Sequence, residues 1–275
     1  MTSSTLPSLS PKKIHRFQTK ILDFYRQHKR ELPWRKTTDP YKILLSEIML
    51  QQTQVPRVIP YYTQWIQQWP SIHDLAQAPR KEVLATWMGL GYNSRAVRFH
   101  QAAETISTTF KGDVLQAMEH YAEVPGVGPY TSKAVQIFAE NKDVVTVDTN
   151  IRRIFIHEFD LPESISDNDL WKLAEHCLPK GKSREWHNAL MDYGSQVLTS
   201  QKTKIPPKTK QSTFEGSDRQ IRAQILRLLL REPLSLKQLL EKIPVSQQRI
   251  QLIIEKLERE ELLNQIDRKY TIKEK

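Results

Sequence analysis

Cysteine is almost missing from this chain: Cys177 is the single one in 275 residues. That excludes an intramolecular disulfide and any four-cysteine metal site. A lone thiol reads as a small buried apolar side chain in a reducing compartment. Long apolar runs are also missing, and no stretch approaches the ~20 residues of a membrane span. The opening MTSSTLPSLSPKK lacks the apolar core of a secretion signal. A soluble, intracellular protein with no membrane partner is expected. Acidic residues are in deficit, 31 against 41 Lys and Arg, for a formal charge of +10. A surplus of that size favours a polyanionic partner, most often nucleic acid, through counterion release at phosphates. The length allows one large domain or two smaller ones.

Strand signals are scarce, and helical periodicity dominates. Ile14, Phe17, Ile21 and Phe24 recur at steps of three and four, so residues 11–30 form a helix with one apolar face. A second helix follows Asp39-Pro40. Others are predicted at about 55–68, 71–77, 80–88, 93–109, 114–121, 130–140, 149–158, 167–177 and 183–198. The β-branched run Val144-Val145-Thr146-Val147 is short and reads as an extended connection. Near residue 200 the chain turns polar and basic, and Pro206-Pro207 forbids a continuous helix, so residues 200–214 read as a linker between domains at 1–199 and 215–275. Helices resume at 217–231, 235–242 and 246–261, with N-caps at Ser235 and Ser246. A hairpin around Asp267-Arg268-Lys269 follows. Three helices and a hairpin make a winged-helix pattern, so the predicted fold class is all-α with a small winged-helix-like domain at its end.

Three segments carry chemistry. The first is Val124-Pro125-Gly126-Val127-Gly128-Pro129-Tyr130-Thr131, set between two helices. Gly126 and Gly128 are expected to supply backbone angles closed to other residues, and to bare N–H groups that bind a phosphate oxygen. The second is Asp148, which an apolar stretch delivers to a helix start; by itself it reads as an N-cap, with the helix dipole favouring its ionised form. The third is Glu47, within Ser46-Glu47-Ile48-Met49-Leu50-Gln51-Gln52-Thr53-Gln54-Val55. Most glutamates are solvated, but apolar flanks on a core-bearing helix would bury this one and keep it protonated near neutrality.

Together these segments resemble the helix-hairpin-helix (HhH-GPD) DNA glycosylases, and most closely the MutY-like adenine glycosylase family. The resemblance covers about residues 14–198 and implies a two-lobed helical fold. It makes Glu47 the acid that protonates adenine, with a possible second role in activating water. Asp148 then balances the charge growing at the anomeric carbon, or attacks it transiently, as paired carboxylates do in glycoside hydrolysis. Asn150 matches an asparagine that orients the catalytic groups. Tyr130 stands where bifunctional relatives carry a Schiff-base lysine, and Lys133, one turn on, is expected to face elsewhere; the implied enzyme is monofunctional. The stretch Gly89-Leu90-Gly91-Tyr92-Asn93-Ser94-Arg95-Ala96 is similar to the segment that opens the duplex. In it Tyr92 matches an intercalating tyrosine and Leu90 a position beside the opposite base. Gln52 and Thr53 match contacts to the orphaned base, and Trp34, in Leu32-Pro33-Trp34-Arg35, lines the base pocket. Arg95, Arg98, Arg152 and Arg153 are candidates for phosphate, or equally for solvated surface.

The chain departs from the family twice. Where relatives carry a four-cysteine iron–sulfur loop, Val197-Leu198-Thr199-Ser200-Gln201-Lys202 has no cysteine, so no cofactor is expected; a monovalent cation at the hairpin is compatible with the reading. Residues 215–275 are too short and too helical for the Nudix-like domain that recognises 8-oxoguanine. The implied partner is double-stranded DNA with a mispaired or damaged base pair, at the nucleoid or in the cytoplasm, and the winged helix's own partner stays open. Two other functions stay open as well: a T:G or U:G mismatch thymine glycosylase of the same superfamily, and a non-catalytic DNA-binding protein, with or without a scaffold role for the winged helix.

Overall fold

The computed structural model describes residues 9–206 and 213–274. Part of the 200–214 linker, including Pro207, lies outside them, as do the first eight residues. The described residues form fifteen α-helices and one two-stranded sheet, in two compact units. One comprises Met1–Leu44 with Gly128–Lys210, the other Leu45–Val127 with Gln211–Lys275.

In the first unit, α1 (Pro11–His28) starts where the Ser10 hydroxyl accepts from the Lys13 N–H. Its predicted face packs on α9 (Thr149–Phe159), α10 (Asp167–Cys177) and α11 (Ser183–Gln196). Phe17 is the keystone: its ring lies 4.9 Å from Phe159 and 5.5 Å from Trp186, both edge-on. Cys177 is buried in the same cluster. The Val144–Val147 stretch carries no strand, as its shortness predicts. One charged cluster is sunk into this unit. The Asp192 side chain, fully buried on α11, accepts from the Arg30 backbone N–H (2.9 Å) and Nε (2.6 Å) and from both Arg35 terminal nitrogens (2.8 and 2.9 Å).

In the second unit, α3 (Val55–Gln68), α4 (Ile72–Gln77), α5 (Arg80–Trp87) and α6 (Ser94–Thr109) surround Trp65, Trp87 and Phe99; Trp65 and Trp87 meet edge-on at 5.6 Å. Helix α2 (Pro40–Leu50) ends just before this group. The carboxy-terminal part of the unit holds α13 (Asp218–Leu229), α14 (Leu236–Lys242) and α15 (Gln247–Arg259), then β1 (Leu263–Ile266) antiparallel to β2 (Lys269–Ile272). Ser235 and Ser246 cap α14 and α15, each accepting from the third helical N–H. The hairpin turn is Asp267-Arg268, both left-handed, and Lys269 already pairs with Ile266. Leu234 adds a bridge to Tyr270.

Burial alone would raise the Asp192 carboxyl, but the hydrogen bonds and charges of Arg35 and Arg30 more than offset it and hold it below the ordinary carboxylate range. A depressed carboxylate gives stability that is full above its unfolded pKa of about 3.9 and fades as pH falls through its lower folded value. Asp192→Asn strands two arginines and should cost the first unit about 3–5 kcal/mol, seen as a lower urea midpoint at pH 7. A midpoint within experimental error of wild type would mean the arginines do not need this partner.

Candidate active site

The site in the first unit is built from a pinned extended segment that ends at a helix. The Ser183 hydroxyl donates to the Val144 carbonyl (3.0 Å), and the Thr146 N–H donates to His187 Nε2 (3.3 Å). His187 Nδ1 lies 2.8 Å from the Ser183 carbonyl, so the ring is neutral with its proton on Nδ1. Burial, slightly opposed by that hydrogen bond, pushes its pKa down to about 4. The segment thus fixed delivers Asp148 as the N-cap of α9.

One Asp148 oxygen accepts from the Ile151 N–H (2.7 Å), the other from Asn150 Nδ2 (3.1 Å). Asn150 Oδ1 accepts in turn from Arg153 Nη2 (2.6 Å), and Arg153 is anchored on the carbonyls of Leu198 (2.5 Å) and Gly194 (3.1 Å). Burial raises the Asp148 carboxyl, while Ile151, Asn150 and the Arg153 charge pull it back; the net direction is upward. The helix start alone suggested a firmly ionised group. Desolvation opposes that, leaving a carboxylate whose proton affinity exceeds that of an exposed one. It faces a cleft of about 310 Å³ lined also by Tyr130, Val147, Thr149, Arg152, Asp167 and Trp171.

Tyr130, in the first turn of α8 (Pro129–Glu140), therefore shares a cleft with Asp148, as does Arg152, whose guanidinium also donates to the Glu163 carbonyl. Lys133 does not line the cleft; its ammonium sits 4.1 Å from the centroid of Trp171, a ring that does. Trp34 is buried in a 3-10 turn of the first unit and does not line this cleft. At the hairpin, Gly126 has φ +75°, and a Cβ there would come 2.9 Å from the Arg98 Cβ. Gly128, at φ −109°, needs no glycine for its backbone, and a Cβ would meet nothing within 4 Å. Its expected conformational role is corrected: only Gly126 turns the chain in a left-handed region.

In the second unit Glu47 is buried on α2. Gln52, left-handed at φ 55°, and Thr53 line a separate cleft with Leu90 and Tyr92; Leu90 is buried and Tyr92 is left-handed at φ 48°. Arg95 is spent on the chain itself. Its Nη1 donates to the carbonyls of Ile48 (2.7 Å), Met49 (3.0 Å) and Gln51 (2.7 Å), closing the end of α2. Burial lowers its pKa to about 10. Arg153 is likewise turned inward, whereas Arg98 is exposed. Sequence reasoning missed Asp167, Trp171, Ser183 and His187, none of which belongs to a motif; only a contact across the fold reveals them.

A family model described as HhH-GPD superfamily base excision DNA repair protein matches residues 45–180. Over 232 residues the chain is 34% identical to the adenine DNA glycosylase of Mycolicibacterium smegmatis, covering 76% of this chain and 78% of that protein. It is 36% identical over 199 residues to the adenine DNA glycosylase of Rattus norvegicus, covering 68% of this chain. It spans only 39% of that rat protein's length. Among solved structures, a thermostable thymine-DNA glycosylase superposes with TM-score 0.64 at 30% identity, covering 72% of this chain and 91% of that one. An endonuclease III–DNA complex gives 0.62 at 18% identity, a likeness of fold, over 73% and 91%.

Removing the amide that feeds Asp148 should raise its carboxyl further. In Asn150→Leu the side-chain ¹³C titration midpoint of Asp148 is expected above the wild-type value, itself above about 3.9. Equal midpoints would remove Asn150 from the network.

Proposed function

The chain belongs to the HhH-GPD superfamily of base excision DNA repair proteins, and from that premise we propose that it is a monofunctional adenine DNA glycosylase acting on duplex DNA. Its substrate would be adenine mispaired with guanine or 8-oxoguanine. The observation that carries the reading is Asp148: a carboxylate sunk in a cleft, donor-bound on both oxygens, beside Tyr130 where an imine-forming enzyme needs an amine.

The reaction replaces the C1′–N bond of deoxyadenosine with a C1′–O bond from water. Glu47 gives a proton to the base, so the bond's electron pair leaves on a neutral adenine. The sugar becomes oxocarbenium-like, and the Asp148 carboxylate balances that charge. Water adds at C1′ and returns a proton to Glu47, so no net acid is consumed. Asn150 and Arg153 act as positioning residues, holding the carboxylate from behind. A phenol at Tyr130 can hydrogen-bond but cannot form an imine.

An iron–sulfur cluster, which the resemblance suggests, does not fit the residues present. The lone thiol, Cys177, is buried in the apolar core of the first unit with its pKa pushed up to about 12 by burial. Among the described residues no helix is long and apolar enough to cross a membrane; the proposed site of action is nucleoid or cytoplasmic DNA. A second reading, thymine excision from T:G pairs, is favoured by the 30% identity to a thymine-DNA glycosylase; the buried Glu47 and its Gln51-Gln52-Thr53 neighbours favour adenine.

Duplexes carrying A:G, A:8-oxoguanine, A:C, T:G and U:G pairs, treated with hot alkali after incubation, separate these readings. Breaks at adenine that need the alkali are expected; breaks at thymine favour the second reading, and no abasic product from any duplex leaves a DNA-binding protein only. Glu47→Gln should slow excision by about 10²–10⁴-fold while duplex affinity stays near wild type. Loss of binding in that variant would make Glu47 structural.

A further inference from the structure

The cleft that Gln52 and Tyr92 line has a second wall that no family motif supplies. Both walls belong to the second unit. One is the Gln52–Arg57 turn with the Met88–Ser94 loop; the other is α13 with Phe214 and Glu260. The space measures about 730 Å³, ample for a nucleotide by the usual range of about 300–1,000 Å³ for ligand sites.

Its chemistry is one-sided. Arg57, Arg219, Arg222 and Arg227 line it with one acid, Glu260, which Arg222 engages through two hydrogen bonds of 3.1 and 2.6 Å. Four guanidinium groups to one carboxylate make the lining net positive. The aromatic content is specific too: the Arg219 guanidinium carbon lies 5.8 Å from the ring centroids of both Tyr92 and Phe214, and its Nη1 donates to the Tyr92 hydroxyl at 3.3 Å. Phe214 is 55% exposed, unusual for so large an apolar side chain. A basic groove with one exposed ring, Phe214, a half-buried one, Tyr92, and a guanidinium near both suits a single nucleic-acid strand, because phosphates seek the guanidinium groups and every base has a face to stack.

We propose that this cleft binds one DNA strand, with backbone phosphates at Arg219 and Arg227 and an unstacked base against Phe214, so that α13 works as part of the DNA-reading surface. The proposal rests on the reading above only in taking duplex DNA as the partner. It gives the carboxy-terminal helices a task at Tyr92. Entry of a phosphate draws Arg219 off the Tyr92 hydroxyl, so the tyrosine is released as the strand arrives.

The test uses the full chain and a fluorescein-labelled duplex with a central A:G pair, titrated from 50 to 200 mM KCl. Replacing Arg219 and Arg227 together by Gln should weaken binding about ten-fold at the higher salt. It should also flatten the slope of log K against log salt by about 1–2, as expected for two lost phosphate contacts. Independently of any variant, 5-iodouracil placed next to the guanine in the strand opposite adenine should photocrosslink to the tryptic peptide that carries Phe214. Unchanged affinity and slope, with no crosslink to that peptide, would overturn the proposal and leave α13 as a surface for some other partner, such as an acidic protein. If wild type gives no abasic sites while slope and crosslink behave as stated, the glycosylase reading fails and this site stands. If wild type excises adenine while both stay unmoved, this site alone fails.

Discussion

A carboxylate withdrawn from water must be given back hydrogen-bond donors, or its burial costs more than the fold can supply. Much of the first unit answers that constraint at Asp148. The Ile151 N–H and the Asn150 amide take one oxygen each, Arg153 steadies Asn150, and carbonyls at Leu198 and Gly194 steady Arg153. On the other side, Ser183 and His187 hold the extended segment that leads in. Helix α11 therefore contributes at both ends: its start pins that segment and its close anchors the arginine. The compensation is partial, since the carboxyl still ends above its ordinary value. A group so balanced is more basic than a solvated carboxylate.

How far the sequence discloses this depends on the range of the interaction. Helices with a clear apolar period, such as 11–28, 55–68 and 167–177, are legible because burial of one face is written every three or four residues. The hairpin glycine at 126, the cap at Asp148 and the extended valines before it are local too. The fate of an arginine is not local. Arg95 and Arg153 look like phosphate ligands beside their motifs, yet each is captured by carbonyls more than forty residues away in the chain. Gly128 errs the other way, since a motif glycine need not sit in a glycine-only conformation. His187 and Trp171 have no sequence signal, because their role is defined by what faces them.

The same contrast separates two uses of positive charge in the second unit. Arg95 is turned inward and closes a helix end, whereas Arg57, Arg219, Arg222 and Arg227 line an open cleft. The formal surplus of +10 is thus not an even coat. Part of it does structural duty at helix ends, and part lines the cleft beside Tyr92.

The bonds from Arg30 to Asp192 span 162 positions of chain, and α1 buries Phe17 and Ile21 against α9, α10 and α11, all of which lie beyond residue 148. On a ribosome moving at ~5–20 residues per second, Arg30 is made roughly 8–30 s before its acid partner. For most of that interval, until α9 is made, the apolar stripe of α1 lacks its partner helices, while the intervening residues 45–127 can already gather their tryptophans. Synthesis therefore favours an order in which the middle of the polypeptide consolidates early and the two ends of the first unit join late. During synthesis the segment that most needs a chaperone is α1, made long before the helices that cover it.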